Sequence, residues 1–228
     1  MPPILVFDVN ETLLDLSALD PVFEQSFGSP GVRTEWFQEV LKLAFVTTIT
    51  GTYSDFSAIG GAALEIVKTR HRRPLTQEQR QQILQTMRRL PAHADVNDGL
   101  ARLRRAGLRL VALTNSTLEA AGTQLTSAGI HQYFESVFSA DSAHRLKPAR
   151  EPYLMVEGEL GVAPDSLLMV AAHSWDLAGA MSVGWKAAFI ARPGQVLDAL
   201  TPKPDFVAPD LCVLAHQILQ CVGRAGAG

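Results

Sequence analysis

The stretch Ile4-Leu5-Val6-Phe7-Asp8-Val9-Asn10-Glu11-Thr12 decides the reading of this chain. Four consecutive apolar residues closed by an acid suit a strand buried on both faces. Three further runs share that character: Leu108 to Leu113, Leu167 to Ala172 and Ala187 to Ile190. Helical segments with good end signals lie between them. Asp95 is placed to cap a helix through Arg104 that stops at Gly107, a second helix after Thr117 ends near Gly129, and a third after Pro152 stops at Gly161. Alternation of this kind predicts an α/β fold, a Rossmann-like parallel sheet covered by helices on both faces.

From about Leu16 to Pro91 the alternation stops, and the residues read as several helices without a strand. Thr76 followed by Gln79 resembles a capping box. The expected organisation is therefore a catalytic core of residues 1–15 and 92–222, with a helical cap, 16–91, inserted between the first two strands. Residues 223–228 (GRAGAG) read as a disordered tail. Arg70-His71-Arg72-Arg73 reads as a solvated helix end, with phosphate attraction as the rarer alternative. The glutamine-rich Gln77 to Gln85 reads as an exposed helix face.

Composition narrows the class. The 228 residues are 47% hydrophobic and 19% charged, with 20 basic against 23 acidic side chains, a formal charge of −3. Disorder, a fibrous repeat and a membrane-spanning protein are all disfavoured by those figures. The mild acidity argues against nucleic acid as the main partner. No apolar run approaches the length of a bilayer span, and Asp8 comes too early for a signal peptide, so the expected location is the cytoplasm. Cys212 and Cys221 are then expected to be reduced thiols.

Four polar clusters fall at the C-terminal ends of the predicted strands: Asp8, Thr114-Asn115-Ser116, Lys147, and His173-Ser174-Trp175-Asp176. In an open parallel sheet ligands bind at that edge, where strand order reverses. A lone carboxylate after a strand is weak evidence. Four clusters in this order are far harder to reach by chance.

On these segments the chain resembles the haloacid dehalogenase superfamily: Phe7 to Asp15 (FDVNETLLD), Leu113 to Ser116 (LTNS), Leu146 to Tyr153 (LKPAREPY) and Ala171 to Ala180 (AAHSWDLAGA). It looks most like the type II 2-haloacid dehalogenases. Lys147 with Tyr153, the pair Trp175-Asp176, and Tyr53-Ser54-Asp55-Phe56 in the cap fit that branch. Phosphatases of the superfamily place a second aspartate, an acid and Mg²⁺ ligand, where this chain has Asn10, which has no carboxylate. Their fourth motif adds carboxylates; here Ala171, Ala172 and His173 precede the single acid Asp176. Mg²⁺ wants anionic oxygen ligands, so neither metal nor organic cofactor is expected.

The resemblance implies that Asp8 attacks the halogen-bearing carbon of a short 2-haloacid, expelling halide and forming an ester. Water then frees a 2-hydroxy acid of inverted configuration. Lys147 would pair with Asp8, and such a pair at ~4 Å is worth on the order of 4 kcal/mol at an effective dielectric near 20, before desolvation. Thr12 and Thr114 offer hydroxyls to orient Asp8 or the substrate carboxylate. Asp176 is the candidate to activate the hydrolytic water. Asn115 would donate toward the halide and Tyr153 would hold the network together. A homodimer is implied as well. Plainer readings stand beside these. Thr12 can cap a helix, Tyr153 and Trp175 can be core aromatics, Asp176 can be only an ion-pair partner of Lys147, and His173 can be a satisfied structural histidine.

Two departures stand out. The branch carries a halide-holding arginine in its cap, and a gapless alignment of Trp36 through Phe56 puts Phe37 there. His173 also replaces a common asparagine. The expectation is that His173 and Asn115 supply the missing donors, while Phe37 narrows the pocket toward small substrates such as fluoroacetate. The alternatives are a phosphatase of small esters, or an inactive binding protein of the same fold.

Overall fold

A computed structural model describes residues 2–225. Strand β1 (Ile4–Phe7) is followed by α1 (Asp20–Phe27), α2 (Val32–Thr50), α3 (Phe56–Arg70), α4 (Gln77–Met87) and α5 (Val96–Arg105). Then come β2 (Leu110–Thr114), α6 (Leu118–Ser127), β3 (Ser136–Ser139) and α7 (Arg150–Leu160). The chain ends with β4 (Leu167–Ala171), α8 (Ser174–Ser182), β5 (Lys186–Ile190), β6 (Phe206–Ala208) and α9 (Leu211–Ala225). The sheet is parallel throughout, in the order β3-β2-β1-β4-β5-β6. The chain winds outward from β1 through β2 to β3, then returns to the other flank of β1 with β4. That reversal places the ligand-binding crevice beside the end of β1.

The apolar runs form interior strands because each must bury both faces. Leu5, Phe7, Leu110, Ala112, Leu168 and Val170 belong to one apolar cluster, joined by Val96, Leu100 and Leu103 of α5 and by Leu211, Leu214 and Ile218 of α9. Ile4, Val6, Val111, Leu113, Leu167 and Met169 belong to the opposite cluster, with Tyr153 and Val156 of α7 and Leu177 and Ala180 of α8. The period-two alternation of each strand sorts its side chains between these layers. Helices α5 and α9 meet at Gly99, where a Cβ would lie 2.5 Å from Leu211 Cγ, so only glycine allows that approach.

Helices α1–α4 lie between β1 and β2. Thr76 and Gln79 form the capping box of α4. Trp36 Nε1 donates to Gly60 O at 3.0 Å, joining α2 to α3. Arg70 pairs with Glu35 and Glu39, and His71 with Glu35, so the basic run is partly tied to α2. The outgoing and returning segments pair with each other: Asp15 N donates to Pro91 O at 2.8 Å and His93 N to Leu13 O at 2.9 Å. The last turn of α2 and the loop after it also reach the segment after β3, through Arg145 to Thr48 O and Tyr53 to Asp141.

Several expectations need correction. Asp95 does not cap α5 with its side chain; its carboxylate accepts from Arg192 (2.7 Å) and from Leu211 N (2.6 Å), so it serves the start of α9 instead. Helix α7 begins at Arg150, ahead of Pro152, because a proline in the first turn forfeits no intrahelical hydrogen bond. Strands β3 and β6 were not foreseen; at four and three residues they carry too little periodicity to read. Gly223 to Ala225 continue α9, and the remainder of the expected tail, 226–228, lies outside the described residues. Cys212 and Cys221 are free thiols. No described helix is long and apolar enough to cross a membrane.

Candidate active site

The carboxyl end of β1 delivers Asp8 into the crevice. Its backbone is fixed by the sheet, with Asp8 N donating to Val170 O at 3.0 Å. Lys147, fully buried, gives Asp8 Oδ1 an ammonium donor at 2.9 Å. The same Nζ donates to Asp176 Oδ2 at 2.6 Å and to Leu113 O at 2.8 Å, so all three of its protons are used. Thr12 Oγ1 donates to Asp8 Oδ2 at 2.7 Å and accepts from Ala172 N at 2.9 Å. The Thr12 hydroxyl therefore positions the carboxylate and does not cap a helix.

His173 completes the ring around Asp8. Its Nδ1 lies 3.1 Å from Asp8 Oδ2 and its Nε2 lies 2.8 Å from Glu11 Oε2. With a carboxylate oxygen on each nitrogen, only the imidazolium can donate to both. Burial works against that charge, yet the hydrogen bonds to Asp8 and Glu11 push the imidazole up to about 9. Burial alone would raise Asp8; the Lys147 charge, then the His173 and Thr12 contacts, outweigh it and hold the carboxyl well below its usual range. Asp8 is thus an anion confronted by two cations.

Asp176 sits behind Lys147. Its Oδ1 accepts from Tyr153 at 2.6 Å and its Oδ2 takes Lys147, and it is fully buried. Burial raises its carboxyl, partly offset by Lys147 and reinforced by the charge on Asp8. Asn115 clasps the Lys147 backbone, accepting from its N at 2.8 Å and facing its carbonyl at 3.4 Å. Asn10 is held by Ser116 and Gln124.

A cavity of about 10 Å³, the room of one water molecule, is bounded by Asp8, Asn10, Asn115, His173, Trp175 and the α2–α3 residues Phe37, Leu41 and Phe56. The half-buried Trp175 stacks on His173 at 5.0 Å and meets Phe45 edge-on. A second, apolar cavity of about 110 Å³ shares Phe37 and Phe56 with the first as its wall.

Most of the residues expected at the site converge. Asp8, Asn10, Phe37, Asn115, His173 and Trp175 bound the small cavity. Thr12, Lys147, Tyr153 and Asp176 support it from beneath. Thr114 is different: its hydroxyl accepts from Ser116 N at 3.1 Å and serves the turn, touching neither Asp8 nor the cavity. Neither Asp176 nor Tyr153 borders the cavity. Glu11 was missed, although it stands inside the quoted motif beside Asn10. It has φ +61°, a left-handed conformation uncommon for a residue with a side chain.

The match to known proteins agrees with this arrangement: the family model described as haloacid dehalogenase-like hydrolase fits residues 3–184. The chain belongs to that family. Haloacetate dehalogenase H-2 of Moraxella sp. (strain B) is 27% identical over 216 residues, spanning 94% of this chain and 96% of that protein. The (S)-2-haloacid dehalogenase of Pseudomonas sp. (strain YL) is 25% identical over 98% and 97% of the two chains. The solved L-2-haloacid dehalogenase from Xanthobacter autotrophicus superposes with a TM-score of 0.89 at 25% identity, covering 96% of this chain and 99% of that one.

A Mg²⁺ ion is held by hard, anionic oxygen ligands. The donor set here does not fit such an ion. Asn10 is neutral and engaged, both oxygens of Asp176 are taken, and an ammonium already bridges the two buried carboxylates. Among the described residues no three His, Cys, Asp or Glu side chains are gathered as metal ligands.

Proposed function

We propose that this protein hydrolyses short 2-haloalkanoic acids to 2-hydroxy acids through an ester on Asp8, without a metal ion. One observation carries the reading: a buried carboxylate, kept anionic by Lys147 and His173, borders a cavity walled by Phe37, Leu41, Phe56 and Trp175. Stripped of water, such an oxygen is a strong nucleophile toward saturated carbon. The dehalogenase names of the full-length relatives supply the substrate class.

In the first step Asp8 displaces halide from the carbon next to the substrate carboxylate, with back-side attack and inversion. His173 is the cationic side chain bordering the cavity, and with Asn10 and Asn115 it provides the polar lining that faces the departing anion. Phe37 occupies wall area that an arginine would fill, so the anion is held in a small space beside an imidazolium. Haloacetates, fluoroacetate included, are the smallest 2-halo acids and require that space to open least. In the second step water attacks the ester carbonyl carbon, Asp8 is regenerated and the hydroxy acid leaves. Asp176 and Tyr153 keep Lys147 aimed at Asp8.

The reading extends to organisation. Residues 1–15 and 92–222 form the core, and 16–91 a cap whose closure excludes bulk water. The protein is proposed to act as a homodimer in the cytoplasm, which light scattering on the purified chain and fractionation of cells would check.

The deciding experiment runs a single turnover of bromoacetate in ¹⁸O-labelled water, with EDTA present. Label is expected in the Asp8 carboxylate after hydrolysis, and Asp8→Asn is expected to release no bromide. Loss of activity in EDTA, or turnover by Asp8→Asn, would overturn the reading.

A further inference from the structure

The second half-reaction needs a base, and the group expected to supply it is badly placed. Asp176 lies beneath Lys147 with both oxygens bonded and no face on the cavity. His173 borders the cavity and touches Asp8 directly. Its far nitrogen reaches Glu11, whose Oε2 also accepts from Gln195 at 3.2 Å. Glu11 in turn lines a separate cavity of about 160 Å³, with Asp15, Arg33, His93 and Arg192. The imidazole thus spans two compartments. One nitrogen faces the nucleophile, and the other faces a carboxylate that borders polar space beyond.

The backbone also favours this pairing. Glu11 is held at φ +61°, where a residue with a Cβ is strained, and its carbonyl accepts from His93 Nε2 at 3.0 Å. Strain of that kind persists where surrounding contacts over-determine it, and it collects at functional sites. Here it delivers the carboxylate onto His173.

We infer that His173, oriented by Glu11, is the base that activates water against the Asp8 ester. The inference rests on the dehalogenase reading. In the free enzyme His173 is an imidazolium between Asp8 and Glu11. When Asp8 is alkylated its negative charge disappears, the imidazolium loses one of its two anions, and its Nδ1 proton leaves with the water that exchanges into the cavity as halide departs, while Glu11 keeps the proton on Nε2. Nε2–H then donates to Glu11 and Nδ1 is a free acceptor. Water gives a proton to Nδ1 while its oxygen bonds to Cγ of the ester. The tetrahedral adduct collapses with cleavage of the bond from Cγ to the alkyl oxygen, which takes the proton from Nδ1 and departs as the 2-hydroxy acid. Asp8 returns its own proton to His173, restoring the starting ion pair. One halide and one proton are released for each water consumed.

His173 is therefore a catalytic residue and Glu11 a positioning residue. The groups facing the imidazole are Asp8, Glu11 and the ring of Trp175; Lys147 acts on it only through Asp8.

The test is rapid-quench turnover of bromoacetate by the full-length chain, following bromide and the intact protein mass. His173→Gln and His173→Asn are expected to release about one bromide per site and then stall as the ester, because Lys147 still keeps Asp8 ionised. Ester hydrolysis should fall about 10²-fold or more, the usual loss when a general base is removed. Glu11→Gln should move the acid limb of ester hydrolysis to lower pH, a shift that a merely structural role would not produce. Asp176→Asn should slow the bromide burst without accumulating ester. Ester hydrolysis at the wild-type rate in both His173 variants, or a folded His173 variant that releases no bromide, would overturn the assignment. So would ester accumulation in Asp176→Asn alone. Absence of any ester in the wild type would instead remove the dehalogenase reading itself.

Discussion

Lys147 Nζ lies 2.6 Å from Asp176 and 2.9 Å from Asp8, so the acid that never meets the cavity holds the ammonium at least as closely as the nucleophile does. Replacing Lys147 by methionine strands two buried carboxylates. A loss of about 3–5 kcal/mol is expected, as when one partner of a buried ion pair is removed, along with all halide release. Urea unfolding at neutral pH measures the first; unchanged stability would mean that the carboxylates find other partners.

The stability of the folded chain should depend on His173 in a defined pH window. Its folded value of about 9 lies above the ordinary 6.5, so its contribution is complete below pH 6.5 and is lost as pH rises to about 9. The contribution is on the order of 3 kcal/mol. His93, lowered chiefly by burial, acts below that window. Asp8, held low, weakens the fold only as pH drops beneath the usual carboxylate range. Unfolding measured from pH 6 to 9.5 should slope downward in the wild type and flatten in His173→Gln. An equal slope in both would refute the buried imidazolium.

Gly179 faces Tyr153 across the α7–α8 contact. A Cβ there would lie 2.5 Å from the tyrosine oxygen and 2.8 Å from two ring carbons. The ring is fully buried and cannot yield. Gly179→Ala is therefore expected to cost about 1–3 kcal/mol and to loosen Asp176 from Tyr153. Combining it with Tyr153→Phe should cost less than the sum of the two, which a double-mutant cycle by thermal unfolding would reveal.

Phe37 is the partition between the reaction cavity and the apolar cavity of about 110 Å³. Phe37→Ala should merge them and shift preference toward longer 2-halo acids, by about fourfold in kcat/KM per added methylene, the equivalent of ~0.8 kcal/mol. Comparing chloroacetate, 2-chloropropionate and 2-chlorobutyrate in wild type and variant tests this; an unchanged order would place the partition elsewhere.

The sheet was readable because β1, β2, β4 and β5 bury both faces and so keep unbroken apolar runs. Edge strands β3 and β6 are too short and too exposed to leave that mark. Asp8 and His173 were legible because strand ends concentrate chemistry at one rim; Lys147 lies eight residues beyond the end of β3 and was legible through the motif that carries the family resemblance. Thr114 misled, since a hydroxyl at a strand end serves a turn as readily as a ligand. Glu11 escaped because its value depends on a backbone dihedral and on a histidine far along the chain, neither of which spacing encodes. Asp95 shows the same blindness: a capping residue can be recognised locally while the helix it serves lies far downstream.

Asp8 stands at the end of the strand flanked by β2 and β4, its amide already spent on Val170. The attacking atom is thereby fixed at the end of a strand paired on both sides, whereas Phe37, Leu41 and Phe56 come from α2 and α3, between β1 and β2. Appetite and reactivity are consequently carried on separate parts. A lineage can recut its menu by reshaping those helices while the blade stays untouched.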